Sequence, residues 1–267
     1  MAEASPSWTG GAFGQRGRCV LAPNAGPMTL DGTNTWVLRE PGARRSIVID
    51  PGPSDEAHLD AVADAAGEVG LVLLTHHHLD HSEAARRFAE RHRVGVRALD
   101  PAHRLGSEGL ADGEVIELDG LEVRVVGTPG HTADSLSFVL PAERAVLTGD
   151  TVLGRGTTVV AHPDGQLGAY LSSLDRLHGL AEAHEITSVW PGHGPVIPDA
   201  LAVLDYYRSH RRERLAQVEE ALGQVDPAAG DLARRVVEIV YADVDPVLWG
   251  AAELSVKAQL AHLAERG

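Results

Sequence analysis

The sequence predicts an α/β protein in which a mixed β-sheet is covered by helices, with a smaller helical segment after it. Short runs rich in β-branched residues recur between Gly, Pro and Asp, as in "RSIVIDPG" and "AVLTGD". Helical patterns alternate with these runs and hairpin patterns interrupt them, which favours a mixed sheet over an all-parallel one. The 267 residues allow one large domain and a smaller appendage.

Buried strands are predicted at 45–52, 70–76, 93–100 and 145–150, where short apolar runs end at turn-forming residues. A hairpin is predicted at 114–126, because period-two alternation flanks Asp119-Gly120, a dipeptide that readily forms a type I′ turn. A second hairpin is predicted where "DSLSFVL" turns at "PAER" into "AVLTG".

Helices are predicted at 55–66, 82–92 and 166–181, with Asp55 and Ser82 near the starts of the first two. From Asp199 onward, three helix-like segments follow one another. We therefore predict two domains, at 1–198 and 199–267.

The composition excludes some functional classes. The net charge of −15 argues against a protein that chiefly wraps nucleic acid or an anionic membrane. Cys19 is the only cysteine, so an intrachain disulfide is excluded. The N-terminal residues lack a signal-peptide pattern, and no apolar run is long enough to span a bilayer, so a cytoplasmic protein is expected.

The stretch "THHHLDH" at 75–81 directly follows a predicted strand. If the chain stays extended there, His76 and His78 project to one side and His77 to the other. Asp80 and His81 follow where a helix begins. Several nitrogen and oxygen donors held by rigid elements are typical of a metal site. The alternative is a solvated loop in which Asp80 only caps the helix, and we favour the metal site.

Further donors follow other predicted strands: His131 in "TPGHTADS", Asp150 in "LTGDT" and His193 in "WPGHGPV". In open sheets, functional groups gather at one end of the strands, so these donors can converge. The flanking glycines suit loops that turn sharply or approach other backbone closely.

The pattern His-x-His-x-Asp-His at 76–81, followed by His131, Asp150 and His193, resembles the metal-binding motifs of the metallo-β-lactamase superfamily. The resemblance covers roughly residues 20–197. It implies a four-layer αββα sandwich, with two central sheets, outer helices and two divalent metal ions at one edge.

Carried over position by position, the resemblance implies that one metal is bound by His76, His78 and His131, the other by Asp80, His81 and His193, with Asp150 bridging both. A hydroxide bridging the metals would be the nucleophile. Asp80 would be a ligand and could also accept a proton. The ligands favour zinc, although manganese and iron also suit the carboxylates. Some antibiotic-hydrolysing members carry cysteine where Asp150 stands, so β-lactam hydrolysis is not expected.

The phrases "NAGPMTLDGTNTWVL" and "GRGTTVV" resemble those of the β-lactamase-like protein 2 group, which is related to the hydroxyacylglutathione hydrolases (glyoxalase II). That likeness implies a small winged-helix-like C-terminal domain. We expect Asn34, Tyr207 and Arg211 to bind substrate, although a turn role for Asn34, packing for Tyr207 and a solvated helix face for Arg211 are alternatives. Asp50 is expected to support the metal ligands from behind.

Three functions compete. The first is a dinuclear metal-dependent hydrolase of a small ester, thioester or lactone-like substrate. The second is a metal-dependent endoribonuclease acting on single-stranded RNA, which the eight basic and eleven acidic residues of 200–267 do not favour. The third is a non-catalytic winged-helix regulator stabilised by metal. An open coordination position counts against the third, because structural zinc is usually closed by four protein ligands. The oligomeric state is not predicted.

Overall fold

Two mixed β-sheets pack face to face in the computed structural model, which describes residues 7–226 and 230–266. The first sheet has its strands in chain order: β1 (Gly11–Phe13), β2 (Gly17–Leu21), β3 (Asn34–Leu38), β4 (Arg45–Ile49), β5 (Glu68–Leu73) and β6 (Val96–Arg97). The second sheet has its strands side by side as follows: β7 (Val115–Leu118), β8 (Leu121–Gly127), β9 (Leu136–Leu140), β10 (Ala145–Gly149) and β11 (Ser188–Pro191). The pairs β4–β5, β5–β6 and β10–β11 are parallel, and the others are antiparallel.

The predicted strands thus divide between two sheets, whereas their patterns alone suggested one. The αββα arrangement implied by the resemblance is confirmed. The hairpin at 114–126 is also confirmed, with Leu118 paired to Leu121 and positive φ angles of 48° at Asp119 and 91° at Gly120. The strand predicted at 93–100 shrinks to β6, because Arg93 takes a left-handed conformation that ends the preceding helix.

Side chains that alternate along the strands pack either between the two sheets or against the outer helices. In β4, Ile47 and Ile49 face the second sheet, whereas Val48 faces the outer helices. Between the sheets, the rings of Trp36 and Trp190 stack with centroids 4.8 Å apart. The two sheets therefore share one apolar core, which fixes their strand ends relative to each other.

Helices α1 (Glu56–Ala66), α2 (Leu79–Ser82) and α3 (Ala85–His92) lie on the side of the first sheet. The expected cap is confirmed for α1, where the Asp55 carboxylate accepts a hydrogen bond from His58 N at 2.8 Å. The helix start expected at Ser82 is wrong, because Ser82 ends α2. Its hydroxyl donates to His77 O at 2.7 Å, which ties the histidine-rich loop to α2.

Helix α4 (Leu167–Ala183) covers the second sheet, and three more helices follow: α5 (Ala200–Leu222), α6 (Leu232–Val240) and α7 (Trp249–Arg266). The first half of α5 packs on α4, since Leu204 and Tyr207 join the same apolar cluster as Leu174. The second half packs on α6 and α7. The domains at 1–198 and 199–267 stay a prediction, because α5 contributes to both clusters. None of the helices in the described ranges is long and apolar enough to cross a membrane.

Candidate metal centre

The predicted donor residues meet at one edge of the sandwich. His76 and His78 follow β5 of the first sheet, whereas His131, Asp150 and His193 follow β8, β10 and β11 of the second. Backbone hydrogen bonds join the sheets here, including Asn34 N to Gly192 O at 2.7 Å and Leu136 N to Thr75 O at 2.8 Å. The donors are therefore carried by rigid and mutually fixed elements.

The first cluster contains His76, His78, His131 and Asp150, and their donor atoms all lie within 4.8 Å of one another. His78 Nδ1 is 3.1 Å from both His76 Nε2 and His131 Nε2. His131 Nε2 is 3.7 Å from Asp150 Oδ2. Three imidazole nitrogens and one carboxylate oxygen thus surround a common point.

The second cluster contains Asp80, His81 and His193, again with donor atoms within 4.8 Å. The Nε2 atoms of the two histidines are 3.3 Å apart, and Asp80 Oδ2 is 3.3 Å from His81 Nε2 and 3.2 Å from His193 Nε2. Asp150 reaches this cluster as well, with Oδ1 at 3.4 Å from His81 Nε2 and Oδ2 at 3.3 Å from His193 Nε2. Asp150 is therefore shared between the clusters.

Outer hydrogen bonds orient the imidazoles. Protein oxygens lie at the Nδ1 atoms of three histidines: His81 at 2.9 Å from Asp50 Oδ2, His131 at 2.7 Å from Val159 O, and His193 at 3.1 Å from Gly32 O. With the proton on Nδ1, each Nε2 presents its lone pair to the cluster, as metal binding requires. The hydroxyl of Thr75 lies 2.9 Å from His76 Nδ1.

Asp50 lies behind the donors, as expected. Its carboxylate accepts hydrogen bonds from Thr75 N at 2.8 Å and Thr75 Oγ1 at 2.6 Å, in addition to His81 Nδ1. Its backbone has a φ of 52°, which turns the chain sharply after β4. Asp50 thus fixes β5 and α2 relative to each other.

The electrostatics differ between the clusters. Burial lowers the pKa of His76, His131 and His78, in the last case to about 4. Burial also opposes protonation of His193, but the Asp150 and Asp80 carboxylates outweigh it and raise its pKa to about 9. Neutral imidazoles, as in the first cluster, can bind a metal. In the second cluster the carboxylates of Asp80 and Asp150 favour positive charge, either on an imidazole or on a bound cation.

The donor residues are suited to hold divalent cations. Asp150 Oδ1 is buried and has no hydrogen-bond partner among the described residues. A buried carboxylate oxygen without a partner is costly, and a cation between the imidazoles would satisfy it. The backbone of Gly192 also lies very close to this oxygen, because a Cβ added at Gly192 would be 2.5 Å from Asp150 Oδ1. His77 lies outside both clusters and pairs instead with Asp134, 2.8 Å from its Nδ1.

A cavity of about 340 Å³ opens from His131 and Asp150 toward the C-terminal helices. Helix α5 contributes Arg211, which is 7% exposed and donates from Nη2 to Thr158 O. The expectation that Arg211 lies at the substrate pocket is thus consistent with its position. Arg214 of the same helix also lines the cavity, and the residues of later segments that complete the wall were missed from the sequence, among them Tyr241 and Ser255.

Substrate contact by Asn34 and Tyr207 stays a prediction, and the structure places the polar groups of both side chains against backbone. Asn34 is fully buried, and its side-chain amide donates to Pro191 O at 2.9 Å and Gly194 O at 2.8 Å. Tyr207 is 1% exposed, and its hydroxyl accepts from Leu153 N at 2.8 Å. Both side chains use their polar groups to hold loops, Asn34 the loop that carries His193 and Tyr207 the loop after Asp150.

Comparisons with known proteins agree with this architecture. The sequence profile of the Metallo-beta-lactamase superfamily matches residues 28–183, and that of the Beta-lactamase associated winged helix domain matches residues 233–267. A Beta-lactamase-like protein 2 homolog of Caenorhabditis elegans is 30% identical over 259 residues, 93% of this chain and 84% of the relative.

An Atrochrysone carboxyl ACP thioesterase of Aspergillus chevalieri is 36% identical over 235 residues, 84% of this chain and 73% of the relative. Among solved structures, a Beta-lactamase domain protein from Burkholderia ambifaria has the same fold, with a TM-score of 0.78, 23% identity, and coverage of 99% of this chain and 91% of that chain. The family resemblance and the winged-helix-like C-terminal domain are thereby confirmed.

Proposed function

Because this chain belongs to the metallo-beta-lactamase superfamily, we propose that it hydrolyses a small thioester, ester or lactone-like substrate at a dinuclear metal centre. The chain is a metal-dependent hydrolase. The observation that carries the finer proposal is the pair of donor clusters that share Asp150 beside the cavity.

In this proposal His76, His78 and His131 would hold one divalent ion, Asp80, His81 and His193 would hold the other, and Asp150 would be shared by both. Zinc is the best match for a set dominated by imidazoles, and manganese or iron are the alternatives. When bound, such metals supply a nucleophile at neutral pH, by lowering the pKa of water toward 7, and Lewis acidity toward the scissile carbonyl.

The chain's own residues would hold and orient this machinery. Burial raises the pKa of Asp80, but the facing imidazoles of His81 and His193 outweigh it and hold that pKa well below its usual range. The Thr33 hydroxyl donates to Asp80 Oδ2 at 3.1 Å. Asp80 therefore stays a carboxylate at neutral pH, which suits a metal ligand that can also accept a proton from the nucleophile.

A thioester is favoured over the other substrates. The relative from Aspergillus chevalieri bears the name of a thioesterase, whereas the cysteine of several antibiotic-hydrolysing members is replaced here by Asp150. The cavity wall is largely apolar, with Met28, Leu153 and Leu248 among its residues. Such a wall suits the acyl part of a thioester.

Single-stranded RNA is the weaker candidate, because the arginines of α5 do not form a free basic face. Arg208 pairs with Asp175 at 2.6 Å, and Arg212 lies 3.9 Å from the same carboxylate. Arg211 is buried in the cavity wall. An RNA-binding face needs exposed cations that can displace counterions along the phosphate backbone.

The test begins with metal content and a panel of substrates. The purified chain is stripped with a chelator and reloaded separately with zinc, manganese or iron. Each form is assayed on acyl thioesters, a lactone, a chromogenic cephalosporin and labelled single-stranded RNA. We expect thioester hydrolysis that the chelator abolishes and zinc restores, with two metal ions bound per chain. Hydrolysis that survives complete removal of the metal would refute the proposal, and metal-dependent cleavage of RNA alone would favour the alternative.

A further inference from the structure

From the charges in the cavity wall, we infer that Arg211 and Arg214 bind a carboxylate on the acyl part of the substrate. The substrate class is then a half-thioester of a dicarboxylic acid, with the scissile carbonyl at the donor clusters and the free carboxylate at α5. This inference rests on the proposed function for the identity of the scissile bond, but the binding of the carboxylate can be measured without hydrolysis.

The cavity is positively charged within a strongly acidic protein. The net charge of the chain is −15, yet the side chains of fixed charge along the cavity are Arg155, Arg211 and Arg214 against a single carboxylate, Asp150. Asp150 belongs to the donor clusters. Arg155 forms an ion pair with Asp31. Arg211 and Arg214 are the cations that remain for a ligand.

Neither arginine has a carboxylate partner within the part of the chain that the structure describes. Arg211 is 7% exposed, donates to Thr158 O, and lies 5.0 Å from the centroid of the Tyr170 ring. Its Nε atom is buried and has no hydrogen-bond partner among the described residues. A guanidinium stays charged at every physiological pH, so a buried guanidinium without a carboxylate partner favours an anionic ligand beside it.

Arg214 lies one turn further along α5 on the same cavity wall. It donates from Nη1 to Val240 O at 2.7 Å, and its guanidinium carbon lies 4.5 Å from the centroid of the Tyr241 ring. A carbonyl and an aromatic ring orient this guanidinium without neutralising it. Burial and then the charges of Arg211 and Arg214 lower the pKa of His210, which also lines the cavity.

The rest of the wall points to a carboxylate on a carbon chain. Besides the arginines, the cavity is lined by apolar groups that include Leu153, Val159 and Ala252. At about 340 Å³ the cavity lies at the small end of ligand pockets, so it suits a short acyl chain. Arginine forks match the two oxygens of a carboxylate, and such charge-assisted bonds are among the strongest available in proteins.

The experiment compares ligands that differ only in one charge. The substrates are N-acetylcysteamine half-thioesters of succinic, glutaric, adipic and pimelic acids, each matched with its neutral methyl ester. Thioether analogues that cannot be hydrolysed serve for calorimetric titration. The protein is the full metal-loaded chain, either unaltered or as Arg214→Gln, Arg211→Gln or the control Arg212→Gln. Arg212 is on the same helix but 63% of its side chain is exposed to solvent.

For at least one chain length, we expect the carboxylate analogue to bind the unaltered protein roughly tenfold to a hundredfold more tightly than its methyl ester. Arg214→Gln should remove most of that preference while leaving the affinity for the methyl ester nearly unchanged. Arg212→Gln should change neither affinity. Arg211→Gln should act like Arg214→Gln, provided that its thermal unfolding shows an intact fold.

Equal affinity for carboxylates and methyl esters at every chain length would overturn the inference. An equal loss of both affinities in Arg214→Gln would overturn it too, because the residue would then act through packing. The proposed function fails in a different way, when no thioester is hydrolysed although the carboxylate analogue binds. The binding and hydrolysis measurements therefore separate the two ideas.

Discussion

Replacing Asp50 by asparagine should weaken the binding of one metal ion without unfolding the protein. Asp50 accepts three hydrogen bonds, two from Thr75 and one from His81 Nδ1. An amide can reproduce only part of this set. In one orientation its NH₂ group faces Thr75 N–H, which leaves buried donors unpaired at a cost of about 1–3 kcal/mol. In the other orientation the NH₂ group donates to His81 Nδ1.

The second orientation costs less free energy, because a neutral imidazole can accept a hydrogen bond at Nδ1 when its proton moves to Nε2. That move removes the lone pair that His81 directs toward His193 and Asp80. Loss of such an orienting partner typically lowers metal affinity about 10- to 100-fold, which corresponds to roughly 1.4–2.7 kcal/mol. We therefore expect the weaker of two metal affinities to fall by this factor, with the first cluster still occupied.

The assay is a competition titration against a chromophoric chelator, supported by elemental analysis of bound metal per chain. Asp134→Asn is the matched control, because Asp134 also pairs with a histidine, His77, outside the donor clusters. It should leave both metal affinities unchanged. If Asp50→Asn binds two metal ions as tightly as the unaltered chain, the orienting role that we derive for Asp50 is wrong.

Three further predictions address the donors, the backbone and pH. His78→Ala should cost one bound metal and Asp150→Ala should weaken both, measured as metal per chain; unchanged content in both variants would rule out the assigned ligands. Gly192→Ala places a Cβ 2.5 Å from Asp150 Oδ1, so it should lose bound metal and most hydrolytic activity. The control Gly179→Ala, with no atom within 4 Å of the added Cβ, should keep both; equal behaviour of the two variants would argue against the clash. Burial lowers the pKa of His58, so the unfolded chain binds its proton more readily and stability falls as pH drops below about 6.5. His58→Gln should therefore show a shallower fall in the free energy of unfolding between about pH 7 and pH 5, and an unchanged slope would refute this.

The convergence of the donors could be predicted in part from the sequence, because five of the seven lie in the loops after strands. Asp80 and His81 instead lie in α2, which follows the histidine-rich loop. Strand periodicity sets the side to which His76 and His78 project, and the ends of neighbouring strands lie at the same edge. The structure brings all seven predicted donors together, and their role as metal ligands stays a prediction for the variants above. The role of Asp50 behind them was expected from the family resemblance, and the structure shows that a sharp turn after β4 brings its carboxylate to His81.

The substrate side could not be predicted in the same way. The sequence predicts that Asn34 and Tyr207 bind substrate. In the structure the buried polar group of each side chain is hydrogen-bonded to the backbone of a loop distant in sequence. Only the tertiary structure shows these contacts between residues far apart in the sequence. Ser255 and Tyr241 reach the cavity from segments whose patterns indicate packing alone. The arginines of α5 likewise differ in their surroundings: Arg208 and Arg212 lie near the surface carboxylate of Asp175, whereas Arg211 and Arg214 line the cavity.

The donors could be predicted and the substrate side could not, because the two belong to different parts of the fold. The donor clusters are carried by strands of both sheets, which share one apolar core and are joined by backbone hydrogen bonds. The far wall of the cavity belongs to α5, to α7 and to the segment between α6 and α7, and the second half of α5 packs with α6 and α7 in an apolar cluster separate from that core. Substitutions on the cavity face of these helices, such as those at Arg214, can therefore change which acyl groups bind while the metal donors keep their geometry. A variant altered only there should retain full metal content even when its choice of substrate has changed.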